Sequence, residues 1–216
     1  AAPVESGRAR GAGMTLDTRE GWLREVAARL TPVLTETGIP ALVSLNLDQV
    51  RVSCGWPARG ALAISKRRIG ECWLAHMNKD GQSHVFVSPC LDNPVEVVGT
   101  LLHELLHAAL PPKVKHSKTF AKAALAIGLE GKPTATHASE KLAARINAEI
   151  LPHVGPYPHQ AIDASLRPKQ ATRLRLYECQ CEPDREAGTT NKVRVASDNW
   201  QATCKVCERD FVRQVQ

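Results

Sequence analysis

The order of elements predicts an α+β protein that ends in a small β module. Three observations carry that reading. Helical periodicity near the N-terminus gives way to short β-prone runs, a continuous apolar helix follows them, and two cysteine pairs flank a last β-prone run. At 216 residues the chain can hold one core of ordinary size plus a small module.

Asp17 or Thr18 can cap the first helix, which runs to about Glu36 with Trp22, Leu23, Val26, Leu30, Val33 and Leu34 as its inner stripe. Four strand-like stretches follow, Leu42–Leu47, Gln49–Cys54, Ile69–His76 and His84–Ser88. Asp80-Gly81 supplies a turn between the last two, so a small antiparallel sheet is expected. Trp22, Trp56 and Trp73 are expected in the core, and Cys54, Cys72 and Cys90 as small buried side chains. His76 and His84 read as ordinary sheet-edge histidines.

The run from Val95 to Leu110 is apolar on nearly every face and should form a buried helix. Asn93 offers its N-cap, Pro94 its first position, and Glu96 a residue that can close a capping box. Pro111-Pro112 end it. Helices are expected again over Ser117–Leu129 and His137–Leu151. Four prolines between Leu151 and Gln170 then argue for a linker or a surface strap.

Within the buried helix stands His103-Glu104-Leu105-Leu106-His107. Residues four apart share a helix face, so the two imidazoles can address one metal ion, and Glu104 lies beside the first of them. Two imidazoles and a carboxylate are costly in an apolar helix unless something pairs with them. Catalytic zinc commonly takes three protein ligands and keeps a fourth position open. His116, nine residues beyond His107, is the expected third ligand; Glu140 is its rival, with Glu130 and His137 behind it.

Cys179-Gln180-Cys181 and Cys204-Lys205-Val206-Cys207 lie on either side of the strand-like Lys192–Ala196. Two close cysteine pairs around a hairpin are the layout of a zinc ribbon, a closed four-thiolate site. Seven cysteines without an apolar export signal point to a reducing, cytoplasmic setting and to metal ligation. No apolar run has transmembrane length. A net charge of +6 is compatible with nucleic acid without requiring it. Lys113, Lys115, Lys118 and Lys122, with Lys66-Arg67-Arg68, could lay a polyanion beside the metal.

HELLH followed by KHSKTFAKAALAIGLEG resembles the SprT-like zinc metallopeptidases, which include the Spartan-type proteases that degrade proteins crosslinked to DNA. RVSCGWP, RRIGECW, GLEGKPTAT and GPYPH are similar to segments of SprT-like proteins from actinobacteria and their phages. The resemblance covers most of residues 40–210 and is strongest over 93–137. It implies a minimal zincin-like metallopeptidase domain over 14–151 and a zinc-ribbon module over 171–216, joined by a proline-rich stretch at 152–170. Residues 1–13 are set aside as a disordered or added extension. It also implies one catalytic Zn²⁺ on His103, His107 and His116, a structural Zn²⁺ on Cys179, Cys181, Cys204 and Cys207, and Glu104 as general base. A protein substrate, DNA as a partner, and no membrane complete the expectation. Lys115-His116-Ser117 stands where the family often has Gly-His-Gly. The alternative is a non-catalytic adaptor whose zinc sites only hold its fold.

Overall fold

The computed structural model describes residues 16–63, 65–166, 174–182 and 190–214; the expectations for residues 1–13 and 171–173 fall outside them. The chain divides into two compact units, the first ending at Leu166 and the second beginning at Arg167. Residues 152–166 therefore belong with the first unit.

The first helix, α1 (Arg19–Arg29), is capped by Thr18, whose Oγ1 accepts from the Gly21 N–H at 3.1 Å. It ends sooner than the sequence predicts. The chain bends at Leu30 and restarts at α2 (Thr31–Thr35), where Pro32 fits an opening turn. Residues expected as a strand from Leu42 instead begin in a short helix, α3 (Pro40–Val43), with Pro40 at its first position. A short apolar run cannot by itself tell strand from helix, and here the proline decides.

Three strands form the sheet of this unit, β1 (Val50–Cys54), β2 (Gly70–Trp73) and β3 (Ser83–Val87), in the order β1-β3-β2. β2 and β3 pair antiparallel, as the turn at Asp80-Gly81 leads one to expect, and Gly81 takes the left-handed φ of +68°. β1, however, pairs parallel with β3, so the sheet is mixed and not antiparallel. The long excursion between β1 and β2 carries the chain past the β3 position, which leaves β2 on an edge. Val52, Val85 and Val87 face the core.

Against that face packs α4 (Pro94–Ala109), begun by Asn93, whose Oδ1 accepts from the Glu96 N–H at 3.1 Å. Val97, Val98, Leu101, Leu102, Leu105 and Leu106 are all fully buried. Each such side chain contributes about 1.5–3 kcal/mol when removed from water, so α4 is the least movable element of the unit.

The segment after α4 departs further from expectation. α5 (Lys118–Ala126) starts under a Ser117 cap, but Gly128, at φ +88°, stops it. A hairpin absent from the sequence reading follows, β4 (Leu129–Lys132) with β5 (Ala135–Ala138). Only from Glu140 does the expected helix form, as α6 (Glu140–Arg145) capped by Ser139, a π-helical turn, and α7 (Leu151–Val154). The proline-rich stretch beyond α7 lies against α1. Gly155 O accepts from the Trp22 indole at 3.0 Å, Pro158 O accepts from Arg19, and Tyr157 meets Trp22 edge-on.

Trp22 is fully buried as expected, whereas Trp56 and Trp73 are 43% and 37% exposed. Trp73 sits on an edge strand with its side chain on the face away from α4, which explains the difference. Cys54, Cys72 and Cys90 are half-buried free thiols.

In the second unit β6 (Arg175–Glu178) lies between β7 (Lys192–Val195) and β8 (Val212–Gln214), both antiparallel to it. Its described buried residues are Tyr177, Cys179 and Cys204, with Trp200 bridging Tyr177 and Phe211. That is a small core for an independent module. No helix among the described residues is long and apolar enough to cross a membrane.

Candidate metal centre and cleft

One face of α4 is not apolar. His103 and His107, one turn apart, project from it toward the loop that leads into α5, and His116 on that loop turns back to meet them. His116 Nε2 lies 3.3 Å from His103 Nε2 and 3.1 Å from His107 Nε2. Phe120, buried on α5, packs against all three rings. His116 thus joins His103 and His107 in one group that could hold a metal ion. Glu130, His137 and Glu140 belong to neither candidate metal group among the described residues.

Three imidazole nitrogens within 4.8 Å of one another, two of them 3.1 and 3.3 Å from the third, pose a bonding problem. Protons can join them only in pairs, and burial already resists charging: it lowers His103 to about 3 and His107 to about 4, and depresses His116 as well. A metal at the usual zinc–nitrogen distance of about 2.0–2.1 Å from each nitrogen of a tetrahedral site needs the nitrogens roughly 3.3 Å apart. The donor set fits zinc. His103 is oriented for that task from behind, because its Nδ1 lies 2.8 Å from Thr136 Oγ1 on β5. With Nδ1–H donating to the hydroxyl, the Nε2 lone pair faces the other two rings.

Glu104 is 6% exposed and faces the strand edge. Its neighbour there is Gly70 on β2, and a Cβ at that position would stand 2.4 Å from Glu104 Oε1 and 2.8 Å from Thr100 Cγ2. The carboxylate therefore occupies space that any other residue at 70 would take. Burial pushes Glu104 up to about 8, against the opposing field of Arg68. A cation held by the adjoining histidines would favour its ionised form.

The histidines, Glu104 and β2 border one cleft of about 720 Å³. Its walls are Arg67 to Cys72 and Leu74 on one side, Thr134 to Thr136 at the tip of the β4–β5 hairpin on another, and Leu110 to Pro112 with Lys115 on a third. Of the basic residues expected to meet a polyanion, Lys115, Arg67 and Arg68 line the cleft, while Lys66, Lys113, Lys118 and Lys122 do not. Lys115 is also held at φ +44°, ψ −132°, a conformation natural to glycine, at a position where SprT-like loops often carry glycine. Cys72 lines the cleft too, its thiol raised to about 12 by burial and the nearby carboxylates.

In the second unit, Cys179, Cys181 and Cys204 bring their sulfurs within 4.8 Å of one another, with Cys181 and Cys204 at 3.6 Å. Tetrahedral zinc with Zn–S of about 2.3 Å needs sulfurs roughly 3.8 Å apart, so these three also fit. Cys207 is not part of that tight trio, yet its thiol stands within hydrogen-bonding reach of Cys181 and Cys204. Backbone N–H groups of Cys207 and Val206 pull Cys204 down to about 6, which favours the thiolate a metal requires. Glu208, at φ +56°, closes the turn by donating to Cys204 O at 2.8 Å.

Fold and site together define an α+β protein with two side-chain groups suited to metal binding, one of imidazoles beside a buried carboxylate and one of thiols. No protein-family profile, curated protein or solved structure matches the chain.

The sequence reading missed Thr136 and Gly70. Both sit in segments flagged only as similar to SprT-like text, GLEGKPTAT and RRIGECW, and neither carries a chemical signal of its own. A glycine opening a strand was the one visible hint, since strand glycines often mark close approach of another group.

Proposed function

We propose that the chain is a zinc-dependent endopeptidase of SprT-like kind, with a minimal zincin-like first unit and a zinc ribbon as its second. The observation that carries this reading is the meeting of three imidazole nitrogens beside a buried carboxylate for which the facing strand keeps a side-chain-free position. A purely structural three-histidine site has no use for Glu104 at that place. His103, His107 and His116 would hold the catalytic ion, and Cys179, Cys181, Cys204 and Cys207 the structural one.

When bound, Zn²⁺ supplies a Lewis acid that makes water nucleophilic near neutral pH and polarises a carbonyl oxygen. The chain does the rest. Thr136 holds the His103 ring by its Nδ1, and Phe120 packs against the three rings. Glu104 removes the proton of the attacking water and delivers it to the nitrogen of the departing amine. β2 is an edge strand of its sheet among the described residues, along which an extended peptide can add as another strand.

The test compares zinc-loaded wild type with Glu104→Gln on an unstructured protein substrate. Cleavage by wild type is expected, with a loss of about 10²–10⁴-fold in the variant at unchanged zinc content. A fully zinc-loaded wild type that cleaves nothing would favour the adaptor reading.

A further inference from the structure

The cleft has a charge pattern that neither the histidines nor Glu104 accounts for. Three cations, Arg67, Arg68 and Lys115, line it, against the carboxylates of Glu71 and Glu104. Glu71 is already fully engaged. It accepts from the Ala58 N–H at 2.8 Å, from Arg68 Nη1 at 2.9 Å and from the Trp73 indole at 3.2 Å. These bonds tie together the loop after β1, the strand β2 and the Arg68 side chain, so the guanidinium is held in place at the cleft wall. A guanidinium carries five N–H donors, and this contact uses those of one nitrogen.

Arg68 lines the same cleft as Glu104 and His116. Lys115 adds a second positive charge from the opposite wall. A cation on the histidines would make the cleft more positive still. Arg68 is half-exposed at the cleft, where such an arrangement concentrates anions, and a planar fork prefers a carboxylate.

Resting on the peptidase reading, we propose that Arg68, braced by Glu71, is a specificity-determining residue that selects peptides bearing an aspartate or glutamate close to the bond to be cut. A peptide is favoured over nucleic acid because β2, on the same wall, is an edge strand of its sheet among the described residues, and an extended peptide can add to such a strand. Lys113 and Lys118, which an extended phosphate track would recruit, do not line the cleft.

The test uses the full chain, zinc-loaded and carrying Glu104→Gln to prevent turnover. Fluorescent peptides identical except for one Glu, Gln or Lys beside the central bond are titrated by anisotropy. The Glu peptide should bind about tenfold tighter than the Gln peptide, and the Lys peptide weakest. Adding Arg68→Gln should abolish the ranking, while Arg68→Lys should keep part of it, with helix content and zinc measured to confirm folding. Equal binding of the Glu and Gln peptides, or a ranking that survives Arg68→Gln, overturns the proposal. So does a single-stranded oligonucleotide that displaces every peptide alike. Hydrolysis of the same peptides by wild type separates the two readings. Acid-selective binding without cleavage sinks the peptidase and keeps the recognition site, whereas cleavage without acid selectivity sinks the recognition site alone.

Discussion

The histidine group and the thiol group are both suited to metal binding, but they stand in opposite relations to the fold around them. The histidines project from a helix whose other faces bury six fully inaccessible valine and leucine side chains. Their geometry is imposed by a core that exists without metal. The thiols sit in a unit whose described buried residues are Tyr177 and two of the cysteines themselves. An ion bound there would be part of the core. The surroundings differ in kind as well. The imidazoles have a buried carboxylate and a cleft beside them, while the thiols have backbone N–H groups and one another. A site meant to do chemistry leaves room, and a site meant to hold shape closes on itself.

Chelation should separate the two most sharply. Removing metal is expected to unfold the second unit, since ligation in small zinc modules contributes about 10–16 kcal/mol to folding. The first unit should keep its helices. Amide hydrogen exchange before and after chelation reads both at once, and collapse of α4 protection along with the ribbon would break the distinction.

Next in size is Gly70→Ala. The new Cβ, 2.4 Å from Glu104 Oε1 and 2.8 Å from Thr100 Cγ2, must push the carboxylate aside, because its flexible end gives more readily than the helix. A displacement of about 1 Å at a reacting group costs on the order of 10²-fold in rate. The expected signature is a fall in kcat with both zinc ions retained. Unchanged kcat would mean that Glu104 is not where the reaction uses it.

The smallest effect concerns Lys115, held at φ +44°, ψ −132°. Lys115→Gly should relieve backbone strain of about 1–3 kcal/mol, offset in part by the extra freedom glycine has when unfolded, and so raise the melting temperature of the first unit by a few degrees. A lower melting temperature would show that the lysine side chain contributes more than its backbone costs.

Much of the metal centre was legible because its signals are local. The HELLH spacing, the Asn93 cap and the prolines after α4 each act within a few residues, and the structure places all of them as the sequence predicts. His116 was legible by position, and the SprT-like resemblance pointed to the same residue. What stayed hidden depends on distant partners. Parallel pairing of β1 with β3 leaves no mark in either strand. The β4–β5 hairpin lay in text that reads as helix ends, since its glycines matter through φ values of +88° and +100° just before and within it. Thr136 acquires its role only when that hairpin folds onto α4, and Gly70 only when Glu104 faces it. The first strand assignment failed for a different reason: Leu42–Leu47 is too short for periodicity to outweigh Pro40.

Zinc stoichiometry by elemental analysis of wild type, His103→Ala and Cys204→Ser tests the central claim most directly. The account requires two ions in wild type and one in each variant, with helix content preserved in His103→Ala. A wild-type complement that survives His103→Ala would mean that the three imidazoles hold no metal, and the peptidase reading would fall with them.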